Sequence, residues 1–252
     1  MSRLIAIAGK GGVGKTTLAA LMVLRLIQQG RRPVLAVDAD PNACLDVALG
    51  VEVLKTVGGV REDARTFAQE GRVKGMDKQR FLQFQIAESL VEDRDFDLIA
   101  MGRSEGPGCY CYANNILKEV LREMVGRYPW VVLDNEAGLE NLSRRIVNQV
   151  DLLVVVTDPS ARGIHTVRRL HALALEMGIV YARLVIVVNR LRRPSLPDGL
   201  DSLKTELAAH KIVGLTDDEA VYGIAEGTGN LRELPMDNPL WDSIDAVLEE
   251  IV

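Results

Sequence analysis

One stretch limits the fold of this chain more than any other. It is GKGGVGKTT, Gly9 to Thr17, which follows the apolar run RLIAIA at 3–8 and opens the helix-period segment KTTLAALMVLRLIQQG. The stretch satisfies G-x-x-x-x-G-K-[ST], and Gly9, Gly11 and Gly14 also satisfy G-x-G-x-x-G. Glycines in either pattern let backbone N–H groups approach a phosphate at a helix N-terminus. Chemistry separates the two. A nucleoside triphosphate needs a cation that reaches the β/γ oxygens and a hydroxyl for Mg²⁺, and Lys15 and Thr16 supply both in register, whereas a dinucleotide needs neither. Gly11, Gly12, Val13, Gly14, Lys15, Thr16 and Thr17 are therefore the expected phosphate cradle. A glycine turn without function is the plain alternative, and the agreement of strand, motif and helix stands against it.

Short β-branched runs recur along the chain: RPVLAVD at 32–38, FDLIAMG at 96–102, WVVLD at 130–134, DLLVVVTD at 151–158 and RLVIVVN at 183–189, each later run followed by a helix-compatible stretch. Continuous apolar strands alternating with helices predict an α/β fold, a P-loop NTPase with a mainly parallel central sheet and helices on both faces. Right-handed crossovers then gather the C-terminal strand ends, and the functional loops, on one edge. The 252 residues, with 48% hydrophobic content, suit a single domain over 1–252. Residues 51–95 are polar and weakly patterned, which predicts helices and a mobile connection rather than strands.

A net charge of -5 without a basic block argues against a nucleic-acid partner. The first apolar run is too short for a membrane span and no signal-peptide pattern follows it, so a cytoplasmic location is expected. Three cysteines in a reducing compartment do not make a disulfide framework. Two of them, Cys109 and Cys111 in GPGCYCYANN, form a C-x-C pair whose side chains point the same way in extended backbone. Two thiolates leave a tetrahedral ion half bound, and a two-fold dimer would bring four. Thiolate softness suits Zn²⁺, Ni²⁺ or Cu⁺. Two buried small residues and a redox pair remain as other readings, although Gly106, Pro107 and Gly108 argue against a buried helix. Cys44, in PNACLDVALG, fits no ligand motif and is expected beneath the helix that follows.

Carboxylates fall at the ends of two runs. Asp38 and Asp40 in VDADPN share a face if the strand persists, and an Asp-Pro turn cluster is the alternative. Asp134 ends WVVLD in the manner of a Walker B carboxylate, which holds Mg²⁺ directly or through its waters.

The early lysine of GKGGVGKTT makes the chain resemble the deviant Walker A ATPases, the family of MinD, ParA, the nitrogenase iron protein and the arsenite and tail-anchored-protein targeting ATPases. The resemblance runs from Gly9 to the segment near Trp241. It implies that Lys10 crosses the interface of an ATP-bound homodimer to touch the partner's nucleotide. It further implies that Asp40 orients the attacking water, that Asp38 lies nearer Mg²⁺, and that NEAGLEN is switch II with Gly138 as backbone donor. Glu136 in that stretch has an ordinary surface position as its alternative. Asn189, at the end of RLVIVVNR, is similar to the family's adenine-reading asparagine, whose amide can give and take hydrogen bonds on the N6/N7 edge. A strand-end Asx turn is the other reading of Asn189. Many relatives carry a Pro-Asp element in the next base-contacting loop, and VGLTDDEAV at 213–221 lacks the proline.

Within that family, a C-x-C beside a DNEAGLEN-like switch II resembles the CooC/AcsF group, the nickel-inserting accessory ATPases of carbon monoxide dehydrogenase and acetyl-CoA synthase. That likeness implies Cys109 and Cys111 as Ni²⁺ or Zn²⁺ ligands shared across a dimer, ATP/ADP and Mg²⁺ as cofactors, and a client nickel enzyme as partner. An ATP-gated scaffold with structural zinc and an iron–sulfur electron-donating ATPase are the alternatives. The acidic ending NPLWDSIDAVLEEIV lacks the basic amphipathic helix of a MinD-type membrane anchor, so no membrane partner is expected.

Overall fold

The computed structural model describes residues 2–59, 78–103, 117–119, 121–139, 149–198 and 200–251. Among these, eight strands form one sheet: β1 (Arg3–Gly9), β2 (Val34–Asp38), β3 (Leu90–Glu92), β4 (Phe96–Ala100), β5 (Trp130–Asp134), β6 (Gln149–Thr157), β7 (Val180–Leu191) and β8 (Lys211–Thr216). Their spatial order is β3-β4-β2-β5-β1-β6-β7-β8, and every neighbouring pair is parallel except β3 with β4. From β1 the chain first fills one side of the sheet, with β5 inserted last between β2 and β1, and then crosses to the other side through β6, β7 and β8. The β1 loop therefore opens where strand order reverses, the place in an open α/β sheet where ligands bind.

The apolar composition of β1 follows from burial on both faces. Leu4, Ala6 and Ala8 enter one core with α4 (Ala161–Glu176), through Val167, Leu170 and Ala174. Ile5 and Ile7 enter the other, with Leu18 and Met22 of α1 (Lys15–Gln28). Helix α7 (Leu240–Leu248) closes that second core with Leu240, Trp241, Ile244, Val247 and Leu248, and Trp241 Nε1 donates to the Pro235 carbonyl at 2.8 Å. The apolar stripe of this acidic helix is thus spent inside the fold. α4 begins on a side-chain cap, Ser160 Oγ accepting from Gly163 N–H at 3.0 Å.

Register sets the site. Ile7 and Asp38 are both paired with Asp134, so β2 and β5 end level with each other and β1 runs two residues further to Gly9. The structure differs from the sequence reading in the strand count. Residues 51–95 carry α3 (Lys78–Ser89) and also the short antiparallel edge strand β3. The stretch 213–221 begins inside β8, then turns into α6 (Glu219–Glu226), with α2 (Leu45–Leu49) and α5 (Leu200–Glu206) completing the labelled helices.

Candidate nucleotide site

The loop from Gly9 to Thr17 joins β1 to α1 with little room to spare. A Cβ on Gly9 would stand 2.4 Å from the Val156 carbonyl oxygen of neighbouring β6. Gly14 is the N-cap of α1 at φ 95, in the left-handed region, and a Cβ there would stand 2.4 Å from Asn189 Nδ2. α1 has no side-chain cap and no acidic residue in its first turn, so its N-terminus keeps the positive end of the helix dipole for an anion.

Lys15 is 8% exposed and its Nζ donates to the Lys10 carbonyl at 3.2 Å. Burial holds the Lys15 ammonium below the usual lysine range, against the opposing pull of Asp134, Asp40 and Glu136. Thr16 Oγ1 donates to Asp134 Oδ2 at 2.6 Å. The other Asp134 oxygen, Oδ1, is buried without a hydrogen-bond partner among the described residues. Burial pushes the Asp134 carboxyl up to about 7, with the neighbouring carboxylates of Asp38 and Asp40 adding to the shift and Thr16 and Lys15 opposing it. At one helix N-terminus a buried carboxylate with an idle oxygen and a hydroxyl form oxygen donors suited to a hard divalent cation, while the ammonium beside them suits phosphate.

β2 stops at Asp38, so Asp38 and Asp40 are not strand-mates on one face. Asp38 Oδ1 accepts from Asp40 N–H at 3.0 Å, and Oδ2 accepts from the N–H groups of Cys44 and Leu45 at 2.9 Å each. Its place is that of a clamp on the loop ahead of α2. Burial raises the Asp38 carboxyl while the three backbone donors lower it. Asp40 is held in an Asx turn, its Oδ1 accepting from Asn42 N–H at 2.8 Å, and it stays within electrostatic reach of Lys15. Gly138 N–H donates to the Gly9 carbonyl at 2.9 Å, which ties the stretch after Asp134 to the phosphate loop.

A groove of about 170 Å³ runs beside this loop, lined by Gly14, Thr17, Asn189, Arg190, Asp217 and Tyr222 among others. Asn189 Nδ2 donates to the Val13 carbonyl at 2.8 Å and Oδ1 accepts from Arg190 N–H at 2.9 Å. Tyr222 Oη donates to Asp217 Oδ1 at 3.0 Å, and Asp218 caps α6 by accepting from Val221 N–H. The 213–221 segment thus lines the groove without the proline of many relatives.

Lys10 is exposed, and it helps Ser160 hold the Asp158 carboxyl below the usual range. Glu136 is half-buried rather than freely exposed. Cys44 corrects the sequence reading: it is exposed and sits at the N-cap of α2, because its own N–H is drawn to Asp38. Cys109 and Cys111 lie outside the described residues. Among the described residues no group of three or more His, Cys, Asp or Glu could hold a metal. The Arg190 and Val13 contacts to Asn189 escaped the sequence reading, since a main-chain partner leaves no mark in composition.

A protein-family profile described as an AAA domain matches residues 2–177. The chain belongs to that family. This AAA-domain protein is 37% identical over 250 residues to an uncharacterized ATP-binding protein of Methanocaldococcus jannaschii, covering 99% of this chain and 98% of the relative. It is 33% identical over 202 residues to the carbon monoxide dehydrogenase accessory protein CooC of Rhodospirillum rubrum, with 75% of each chain covered. The cell division ATPase MinD of Pyrococcus furiosus shares its fold, with a TM-score of 0.72 at 20% identity over 100% of this chain and 98% of that one. The AAA-domain chain is accordingly a MinD/ParA-class P-loop protein of CooC-like type. Among its described residues no helix is long and apolar enough to cross a membrane.

Proposed function

We propose that this chain is a cytoplasmic Mg²⁺-dependent ATP hydrolase that closes into a homodimer around nucleotide and assists nickel insertion into a carbon monoxide dehydrogenase or acetyl-CoA synthase. One observation carries the hydrolase reading: Thr16 Oγ1 sits on Asp134 at 2.6 Å, at the end of the loop that buries Lys15. The client half is supported by the 33% identity to CooC.

Lys15 neutralises the β/γ oxygens, while the backbone from Gly11 to Thr17 cradles them. Thr16 and Asp134 would hold Mg²⁺, with Asp38 keeping the neighbouring loop in place. When bound, that ion supplies positive charge where phosphoryl oxygens gain negative charge. Asp40 orients the attacking water, and Asn189 reads the base. Lys10 reaches the partner's nucleotide, so full stabilisation of the transition state arrives only on closure and hydrolysis by one subunit is slow. Nickel is the cargo, held by Cys109 and Cys111 from both subunits and handed to the client. The acidic balance of the chain supports a protein client over nucleic acid or a membrane surface.

Metal content tests the shared site. Wild type is expected to bind one Ni²⁺ or Zn²⁺ per dimer, and Cys109→Ser/Cys111→Ser to bind none, measured by elemental analysis with and without ATP. Full metal retention in the double variant contradicts a site built from these thiolates.

A further inference from the structure

The Asp40 carboxylate is held by one of its two oxygens. Oδ1 accepts from Asn42 N–H at 2.8 Å and from Asn42 Nδ2 at 3.0 Å, and among the described residues nothing hydrogen-bonds to Oδ2. The oxygen of the same Asn42 amide accepts from Arg103 Nη2. One neutral amide thus stands between a carboxylate, which only accepts when ionised, and a guanidinium, which only donates. Turning that amide over would set its oxygen against the carboxylate and its NH₂ against the guanidinium, so both charges enforce one orientation.

Arg103 comes to this turn from a different strand. Just past β4, Met101 N–H donates to the Asp38 carbonyl at 2.8 Å, and the Met101 carbonyl accepts from Gly58 N–H at 2.9 Å. Gly102 then turns the chain at φ 62, in the left-handed region, with Thr56 standing where a Cβ would go. Arg103 is therefore carried by a tied turn beside the end of β2. Asn42 and Arg103 are themselves exposed, so removing either side chain changes the stability of the fold little. A direct pair between Arg103 and Asp40 would occupy both carboxylate oxygens. The intervening amide uses Oδ1 and leaves the lone pairs of Oδ2 for a water.

We propose that Asn42 and Arg103 are positioning residues for hydrolysis: Arg103, acting through the Asn42 amide, fixes the Asp40 carboxylate so that Oδ2 is presented to the water that attacks the γ-phosphate. This rests on the hydrolase reading above, in which Asp40 orients that water. The water must lie in line with the bond that breaks, and a carboxylate free to rotate holds it there for only a fraction of the time. The guanidinium also polarises the amide, which strengthens its N–H toward Oδ1. The end of β4 thereby takes part in a step carried out at the end of β2.

Single-turnover phosphate release and calorimetric ATP affinity, both measured on the full chain, test the positioning. Asn42→Ala and Arg103→Ala are each expected to slow release by about tenfold or more while ATP affinity stays within about threefold, since misplacing a reacting group lowers rate rather than binding. The double variant should be no slower than the slower single variant, because the two residues act in series. Arg103→Lys still donates to the amide oxygen and should recover most of the rate. Sedimentation in ATP should show the same assembly for wild type and variants. The inference is overturned by a wild-type rate in Asn42→Ala or Arg103→Ala, by losses that multiply in the double variant, by Arg103→Lys no faster than Arg103→Ala, or by a loss that follows a changed assembly. Asp40→Ala is the control. If it releases phosphate as fast as wild type, the role given to Asp40 fails and the positioning with it; if it is slow while Asn42→Ala and Arg103→Ala match wild type, the positioning alone fails.

Discussion

Asp134→Asn is expected to make the nucleotide-free protein more stable at pH 8 while reducing Mg²⁺-dependent hydrolysis by about 10²-fold or more. The Asp134 carboxyl is raised from 3.8 to about 7 by burial, so the folded state holds its proton more tightly than the unfolded chain does. The corresponding stability is present below about pH 4 and is lost as pH rises toward 7, leaving a buried anion whose idle Oδ1 has no partner. The difference is about 4 kcal/mol at most for a shift of that size. Asparagine keeps an oxygen for Thr16 and removes the charge. Denaturant midpoints in EDTA at pH 5 and pH 8 should therefore draw together in Asp134→Asn and lie apart in wild type, the wild-type midpoint being lower at pH 8. Identical pH slopes in the two proteins contradict an ionisable burden at Asp134.

Lys15→Ala is expected to lower ATP turnover by about 10²-fold or more without unfolding the chain. Lys15 is buried, its ammonium depressed by desolvation, and its Nζ held by the Lys10 carbonyl. Such a cation gives the fold little, because burial opposes the charge that function needs. Thermal unfolding without nucleotide should change little or rise, while phosphate release and ATP affinity fall together. Arginine should not restore turnover, since a planar fork does not reproduce a compact ammonium in the space next to Lys10. Turnover near wild type in Lys15→Ala contradicts the placement of the triphosphate.

The parts legible in the sequence were those whose physics is local or periodic. GKGGVGKTT announced a strand–loop–helix phosphate site, and its first and last glycines answer steric demands, Gly9 from β6 and Gly14 from Asn189. WVVLD announced Asp134 because a fully buried parallel strand reads as an unbroken apolar run. Two strands did not announce themselves. β3 is only three residues and pairs antiparallel at an edge, so LVE carries no period. In β8 only Val213 and Leu215 are buried, an alternation that Gly214 and the following aspartates obscured. Asp38 showed its charge in the sequence but not its partners; its three backbone donors belong to a turn visible only in three dimensions. Cys44 followed the same logic, drawn to the surface by a main-chain contact to Asp38.

The coupling of ATP to nickel delivery is tested most directly by activation of an apo-enzyme. Nickel-free carbon monoxide dehydrogenase and acetyl-CoA synthase are each incubated with limiting Ni²⁺, the purified chain and either ATP or ADP, and client activity is followed over time. One of the two clients is predicted to gain activity with wild type and ATP, and to stay inactive with ADP, with Lys15→Ala or with Cys109→Ser/Cys111→Ser. Equal activation by the variants, or by Ni²⁺ alone at the same concentration, contradicts the account.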